Sequence, residues 1–337
     1  MSLTKTNSTK TNTRVNQLSF GLPSESLVLE HVELEPLALG NVRVQIEATN
    51  INPSDRLSIQ GVGQYRRTHV PPRVPGFEAV GRVVEINEPH QTEFHIGQKV
   101  LVAQSGTWQS YVDAPAENVF AVPESLESAY ACQLYINALT AWVITTKVAN
   151  LGKEDVVIIN AGNSAIGKIF AQLSQSLGFT LIAISSAPER YPYDSIAVLD
   201  SKQDLQSQID ARDLPQPNVA FDAIGGKLGT EIIQVLRNYG TYTNYGTLSL
   251  TPYEPTFFAC MKQNNIDFST FFLRYWEESV GKTVRKQVFA EMLEHFVERR
   301  IQLDVDCCLP LEQFQSAFEL IEDESVALQG KIILTMQ

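Results

Sequence analysis

The chain lacks most of the features that mark several large classes of protein. Only four cysteines occur in 337 residues: Cys132, Cys260, Cys307 and Cys308. None sits in a Cys-x-x-Cys pair, and the adjacent Cys307 and Cys308 are badly placed to bridge each other. No disulfide framework is expected, and the thiols suit a reducing, cytoplasmic setting. The five histidines, His31, His69, His90, His95 and His295, are scattered with no i, i+4 pair. No spacing therefore supplies the three or four ligands of a zinc site. No apolar run approaches the roughly 18 residues of a membrane-spanning helix. Positive charge is also short: 26 Lys and Arg against 38 Asp and Glu leave a net charge of −12. Such a surface repels nucleic acid, and no basic patch offsets it.

What is present describes a folded chain. Hydrophobic residues make up 44% and charged residues 19% of the sequence, a globular composition, and 337 residues exceed what one core usually serves, so two domains are expected. Residues 1–14, rich in Thr, Ser, Asn and Lys, read as a disordered tail without the apolar segment of a secretory signal. A transit peptide is the weaker alternative, because the stretch has almost no apolar face. The first third then reads as β-rich. Val42, Val44 and Ile46 alternate with Arg43, Gln45 and Glu47, and further extended runs cover 76–87, 99–103 and 108–112, punctuated by Gly and Pro. From about Glu124 the pattern changes. A helical stretch spans 129–150, and continuous apolar strands at 156–160, 180–185, 218–224 and 241–245 alternate with helices at 164–177 and 228–237. That alternation specifies an α/β fold with a doubly wound parallel sheet covered on both faces. Val284, Val288, Met292 and Phe296 line one face of a long helix ending at Arg299 and Arg300. Leu311, Phe314, Phe318 and Ile321 mark another helix, and 331–335 closes the chain as a strand.

The strongest motif is Asn160-Ala161-Gly162-Asn163-Ser164-Ala165-Ile166-Gly167, placed after a buried strand and opening a helix. This is the context of a dinucleotide fingerprint. Unpaired N–H groups at the helix start attract a diphosphate, small residues let it approach the backbone, and Ser164 can cap the helix or bond a phosphate. An ordinary strand–helix turn is the bland alternative. A hydrolase elbow is excluded, because Ile166 stands where glycine is needed. The second strand ends at Ser185 and Ser186 rather than at Asp or Glu. With Arg190 nearby, these suit the 2′-phosphate of NADPH, the expected cofactor in preference to NADH, the alternative being a polar surface loop with one solvated Arg. Without metal ligands, the site must stabilise charge by hydrogen bonds alone. The substrate is then best pictured as a conjugated small molecule that accepts hydride at carbon.

The segments Asn50-Ile51-Asn52-Pro53-Ser54-Asp55, Ile59-Gln60-Gly61, Pro75-Gly76-Phe77-Glu78-Ala79-Val80-Gly81, Asn137-Ala138-Leu139-Thr140-Ala141-Trp142, the phosphate loop and Gly330-Lys331-Ile332-Ile333-Leu334 occur in one order along the chain. In them the chain resembles the medium-chain dehydrogenase/reductase superfamily, specifically its zinc-free quinone oxidoreductase and enoyl thioester reductase branch. The resemblance implies a GroES-like β-rich catalytic domain (15–125 and 300–337) and a Rossmann cofactor-binding domain (126–299), with NADPH in a cleft between them. It implies that Asn52 and Thr140 lie beside the nicotinamide and Lys331 near the cofactor, and that Phe271, Phe272, Leu273 and Arg274 form the loop over the nicotinamide amide. Gly162, Asn163, Ser164, Ala165, Ile166 and Gly167 carry over as the phosphate loop. Tyr65, after Ile59-Gln60-Gly61 with extra residues between, is the candidate acid or anchor of the substrate oxygen. The alternative for it is a loop tyrosine that shapes the pocket. One departure is marked: the family usually has a helix after the second strand, whereas Ala187–Tyr193 is short and carries two prolines.

The leading reading is hydride transfer from NADPH to a quinone or enone, with Tyr65, Asn52 or solvent supplying the proton. The runner-up is an enoyl thioester carried by coenzyme A or acyl carrier protein, met by a basic entrance at Arg66, Arg67 and Arg73. A non-catalytic NADPH-binding protein is the alternative of another class, and a classical alcohol dehydrogenase is disfavoured by the missing metal ligands. A homodimer is expected through the edge strand near Ile266–Phe268.

Overall fold

The computed structural model describes residues 10–87, 93–323 and 325–336. The chain divides into two units, Met1–Ile136 with Asp304–Gln337, and Asn137–Leu303.

In the first unit a sheet runs in the order Val305–Pro310, Lys331–Thr335, Asn41–Asn50, Glu78–Ile86, Lys99–Ala103 and Val119–Ala121, and Tyr111–Pro115 also pairs with Asn41–Asn50. The alternation read in Val42, Val44 and Ile46 is real. All three are buried, against Val83, Val100, Val102 and Val112. A second cluster packs Trp108 and Ile59 on Leu311, Phe314 and Phe318 of the last helical stretch. The strand expected from Trp108 instead begins at Tyr111, and Trp108 is a fully buried loop residue whose carbonyl accepts from the N–H of Val15 at 3.0 Å. The disorder expected over residues 1–14 is not found at 11–14. Thr11–Gln17 is a strand paired antiparallel with Leu27–Glu33, its Val15 buried in the core, while residues 1–9 lie outside the described residues, as does His90.

The second unit is a doubly wound parallel sheet. Its strands lie in the order Ala197–Asp200, Thr180–Ser185, Val156–Ile159, Val219–Asp222, Thr241–Asn244 and Asp267–Thr270, every neighbouring pair parallel. The first strand of this unit, Val156–Ile159, lies inside the sheet, so the winding reverses between it and Val219–Asp222. Loops at the carboxyl ends of the strands at such a switch point form the usual ligand crevice. The stretch read as one helix over 129–150 is three pieces: Ser128–Ala131, Ile136–Val143 and a π-helical turn at Ile144–Val148. The long helix starts earlier than read, spanning Leu273–Arg299, with a break at Gly281, where φ of 75° suits a residue without a Cβ. Leu273 and Arg274 are therefore helical, and only Phe271 and Phe272 remain in the loop. The segment after Ser185 holds a single 3-10 turn, Pro188–Arg190, as its two prolines suggest.

Candidate active site

In the second unit the phosphate loop begins at Asn160, which is fully buried. Its side-chain Nδ2 donates to Asp222 Oδ1 at 2.5 Å, and its side-chain Oδ1 accepts from the N–H of Ala223 at 2.8 Å. The N–H of Gly162 donates to the carbonyl of Ile184 at 2.9 Å, which ties the loop to the second strand. A methyl group on Gly167 would collide with the carbonyl oxygens of Ala161 and Gly162, so the first helical turn fits against the loop only without a side chain there. Ser164 caps the helix Ala165–Leu177, its hydroxyl accepting from the N–H of Gly167 at 3.2 Å. The other N–H groups of that first turn have no carbonyl within the helix to bond. Bare backbone at Gly162, a positive helix end and small residues fit a diphosphate.

The surrounding candidates are placed unevenly. Ser185 is buried, its hydroxyl accepting from the N–H of Ala187 at 2.9 Å, and Ser186 is exposed. Arg190 is also exposed, with Glu189 at 3.7 Å, so the one basic group of this segment faces an acidic neighbour. Thr140 is buried in Ile136–Val143. Phe271 is buried, its N–H bonded to the carbonyl of Asn244 at 2.8 Å, and Phe272 precedes the helix as its cap. Behind the loop, the fully buried carboxylate of Asp222 receives donors from several directions. Besides Asn160 these are the N–H groups of Ile224 and Gly225, each at 2.8 Å, the hydroxyls of Tyr242 at 2.8 Å and Tyr253 at 2.6 Å, and the Asn244 amide at 3.3 Å.

In the first unit Asn52 and Lys331, far apart in sequence, come together. The Lys331 ammonium donates to Asn52 Oδ1 at 2.9 Å and to the carbonyl of Ile51 at 3.3 Å. The Asn52 amide donates to Asn50 Oδ1 at 2.7 Å and to Glu78 Oε1 at 2.8 Å. Glu78, also fully buried, accepts from Asn50 and from the N–H groups of Tyr135 at 2.9 Å and Ile136 at 3.0 Å. Burial pushes the Glu78 carboxyl up, against hydrogen bonds that pull it down. Burial likewise lowers Lys331 to about 8, opposed by Glu78 and Asp55. Asp55 holds the N–H of Asn52 at 2.7 Å, and burial lifts its carboxyl to about 7, helped by the charge of Glu78. With its carboxamide committed on both sides, Asn52 is suited to position neighbouring groups rather than to supply a proton.

Tyr65 opens the short helix Tyr65–Thr68 and is half-buried, its ring 5.4 Å from His69 and 6.1 Å from Phe77. Burial, and then the charge of Asp55, raise its phenol well above the ordinary value, so it remains a donor at neutral pH. Of the expected basic entrance, Arg66 and Arg67 are exposed. Arg73 is turned inward, donating to the hydroxyl of Ser58 at 2.8 Å and the carbonyl of His69 at 3.1 Å.

Residues 38–124 match the family described as alcohol dehydrogenase GroES-like domain, and residues 193–334 the family described as zinc-binding dehydrogenase. A crystal structure of a Bacillus thuringiensis protein, provisionally named NADPH:quinone reductase, is 30% identical. It superposes with a TM-score of 0.86 over 97% of this chain and 99% of that one. The chain belongs to the medium-chain dehydrogenase/reductase superfamily, in its zinc-free quinone oxidoreductase and enoyl thioester reductase branch. As a member of that superfamily it is an oxidoreductase. The human and Xenopus tropicalis proteins named mitochondrial enoyl-[acyl-carrier-protein] reductase are 28% and 29% identical, over 96% and 94% of this chain and 89% and 93% of theirs. A mycobacterial structure solved with NADPH shares the fold, with a TM-score of 0.82 at 22% identity. Among the described residues no group of three or more His, Cys, Asp or Glu is arranged to hold a metal ion. No helix among them is long and apolar enough to cross a membrane.

Sequence reasoning passed over Asn50, Glu78 and Asp222. A signal was available for the two acids: each adjoins a run of apolar strand residues, Ala79-Val80 and Val219-Ala220-Phe221. A carboxylate buried beside such a run must find several donors.

Proposed function

We propose that this oxidoreductase uses NADPH to reduce the carbon–carbon double bond of an α,β-unsaturated thioester, without a metal. The cofactor supplies hydride when bound. The Asn160–Gly167 loop and the start of its helix would hold the diphosphate. The observation that carries the choice of substrate is the place of Tyr65, a half-buried phenol 6.1 Å from the ring of Phe77, next in sequence to Glu78, where its O–H can donate to a substrate oxygen. Hydride addition to a thioester-conjugated double bond leaves an enolate, which a positioned donor stabilises and then protonates. The Lys331–Asn52–Glu78 network would set the position of Asn52 beside the reacting groups. The two relatives named enoyl reductases support this reading. Reduction of a quinone is the second reading, favoured by the name of the Bacillus thuringiensis relative, and it has less need of a placed acid because a hydroquinone anion takes its proton readily from water. All four cysteines are unbridged, which suits either the cytoplasm or the mitochondrion named for the relatives.

The test is oxidation of NADPH by the purified chain, without added metal, with crotonyl-CoA, benzoquinone and phenanthrenequinone offered separately. Turnover of crotonyl-CoA that falls about 10²- to 10⁴-fold in Tyr65→Phe supports the proposal. Turnover of quinones alone transfers the assignment to the second reading. Binding of NADPH with no turnover of any acceptor rejects both and favours a non-catalytic cofactor-binding protein.

A further inference from the structure

Two of the four cysteines converge on one face of the first unit's sheet. Cys308 lies opposite Ile333 on the neighbouring strand, and Ile333 lies opposite Asn50 on the next. Residues opposite one another across a ladder project to the same face. Ile332 and Leu334, one position to either side, project to the other face, into the cluster of Leu311 and Phe318, and Cys307 packs there with them. The row Cys308, Ile333, Asn50 therefore faces the short helix Ser128–Ala131, which packs against both Asn41–Asn50 and Val305–Pro310. Cys132 caps that helix and is fully buried, its carbonyl accepting from the Asn50 amide at 3.0 Å. Burial pushes the Cys132 thiol well up, with Glu78 and then Cys308 adding to it, so the two sulfurs lie within electrostatic reach and Cys132 stays unreactive in the reduced protein. Cys308 is exposed, on the end strand of the sheet, just past a bulge between Val305 and Cys307.

We infer that Cys308 and Cys132 form a peroxide-sensitive dithiol site, closed to a disulfide by hydrogen peroxide or an organic hydroperoxide and reopened by a thiol reductant. The exposed Cys308 thiolate attacks one peroxide oxygen. An S–O bond forms, the O–O bond breaks, and the departing oxygen takes up a proton and leaves as water or alcohol. Sulfur is oxidised by two electrons to a sulfenic acid, and the peroxide is reduced. The sulfur of Cys132 then attacks that of Cys308. The S–S bond forms, the S–O bond breaks, and the hydroxide released takes the Cys132 proton and leaves as water. A disulfide needs Cα atoms about 4.4–6.8 Å apart, and a bulged end strand is the part of a sheet best able to adjust. Closure ties Cys132 to that strand. The Cys132 carbonyl holds Asn50, and Asn50 shares Glu78 Oε1 with Asn52, so the new bond disturbs the group that positions Asn52. Loss of turnover on oxidation follows, and this consequence alone rests on the function proposed above.

Treatment of the reduced wild type with hydrogen peroxide, a quench with N-ethylmaleimide and non-reducing tryptic mapping test the site without recourse to activity. A peptide joining Cys132 to the segment of Cys307 and Cys308 is expected in the wild type and in Cys307→Ser. It should be absent from Cys308→Ser and released by dithiothreitol. Turnover of the best acceptor should fall about 10- to 100-fold as that peptide accumulates, the cost of a displaced group in the site. It should recover with dithiothreitol and hold steady under peroxide in Cys308→Ser. Absence of the linked peptide overturns the site, and so does its persistence in Cys308→Ser or a Cys308 bond between two chains. A linked peptide with undiminished turnover overturns the control of activity. A linked peptide in a chain that turns over no acceptor defeats the proposed function and leaves the dithiol site standing.

Discussion

Asp55 offers a prediction whose sign and size follow from its surroundings. The residue is fully buried, with Oδ2 on the N–H of Asn52 and Oδ1 without a hydrogen-bond partner among the described residues. Desolvation leads the forces that raise its carboxyl from 3.8 to about 7, ahead of the attraction of Lys331 and Arg73 that opposes it. A carboxyl raised on folding binds its proton more tightly in the native state. Its contribution to stability is complete below 3.8 and is lost as pH climbs to about 7. At pH 5 the native carboxyl is protonated and the unfolded one ionised, worth on the order of 3 kcal/mol. At pH 7.5 both are ionised and little remains. Asp55→Asn keeps an oxygen for the N–H of Asn52 and removes the titration. The stability of this variant relative to wild type should therefore improve by about 2–3 kcal/mol between pH 5 and pH 7.5. Urea denaturation at the two pH values, followed by near-ultraviolet circular dichroism, measures it. A difference between variant and wild type that stays constant across this interval refutes the reasoning, because it would mean that Asp55 titrates alike in the folded and unfolded chain.

Three further outcomes are expected. Lys331→Met removes the cation that fixes Asn52 Oδ1, and turnover of the best acceptor should fall about 100-fold, the cost of a misplaced reacting group; undiminished turnover would deny Lys331 a positioning role. Gly167→Ala drives a methyl into the carbonyls of Ala161 and Gly162, and differential scanning calorimetry should show a loss of about 1–3 kcal/mol; an unaltered Tm contradicts the fit described for the loop. Asp267–Thr270 is the edge strand of the parallel sheet, and sedimentation equilibrium should find a homodimer joined there, which Ser269→Lys on its exposed face weakens; a wild type found only as monomer removes that assembly.

The parallel sheet was the most legible part of the fold. Strands such as Val156–Ile159 and Thr180–Ser185 are apolar runs, and the helix after the phosphate loop carries both of its boundary signals, Ser164 and Gly178. Elements whose limits depend on tertiary packing were harder to read. Nothing local in Thr11–Arg14 shows that Leu27–Glu33 will offer it a partner strand, and polar composition there resembles that of a free tail. Trp108 and Gln109 look like strand residues, but Trp108 is buried by packing on Phe318 from the far end of the chain. In the site, glycine spacing exposes the phosphate loop because backbone shape dictates it. The pairing of Asn52 with Lys331 was not legible from spacing, since 279 positions separate them, and it emerges only when the last strand lies beside Asn41–Asn50.

The Asp222 carboxylate, with its ring of donors, has a consequence for how this protein tolerates change. The loop before the first helix, the turn at Ile224–Gly225 and the segment carrying Tyr253 all attach to the same two oxygen atoms. Substitutions at Asn160, Tyr242 and Tyr253 will not act independently: once one donor is gone, the carboxylate can shift toward the others, so the second loss is felt less or more than the first. Sequence drift in any one of these loops is then constrained by what the other loops have already become, and compensating changes should arise as sets rather than singly.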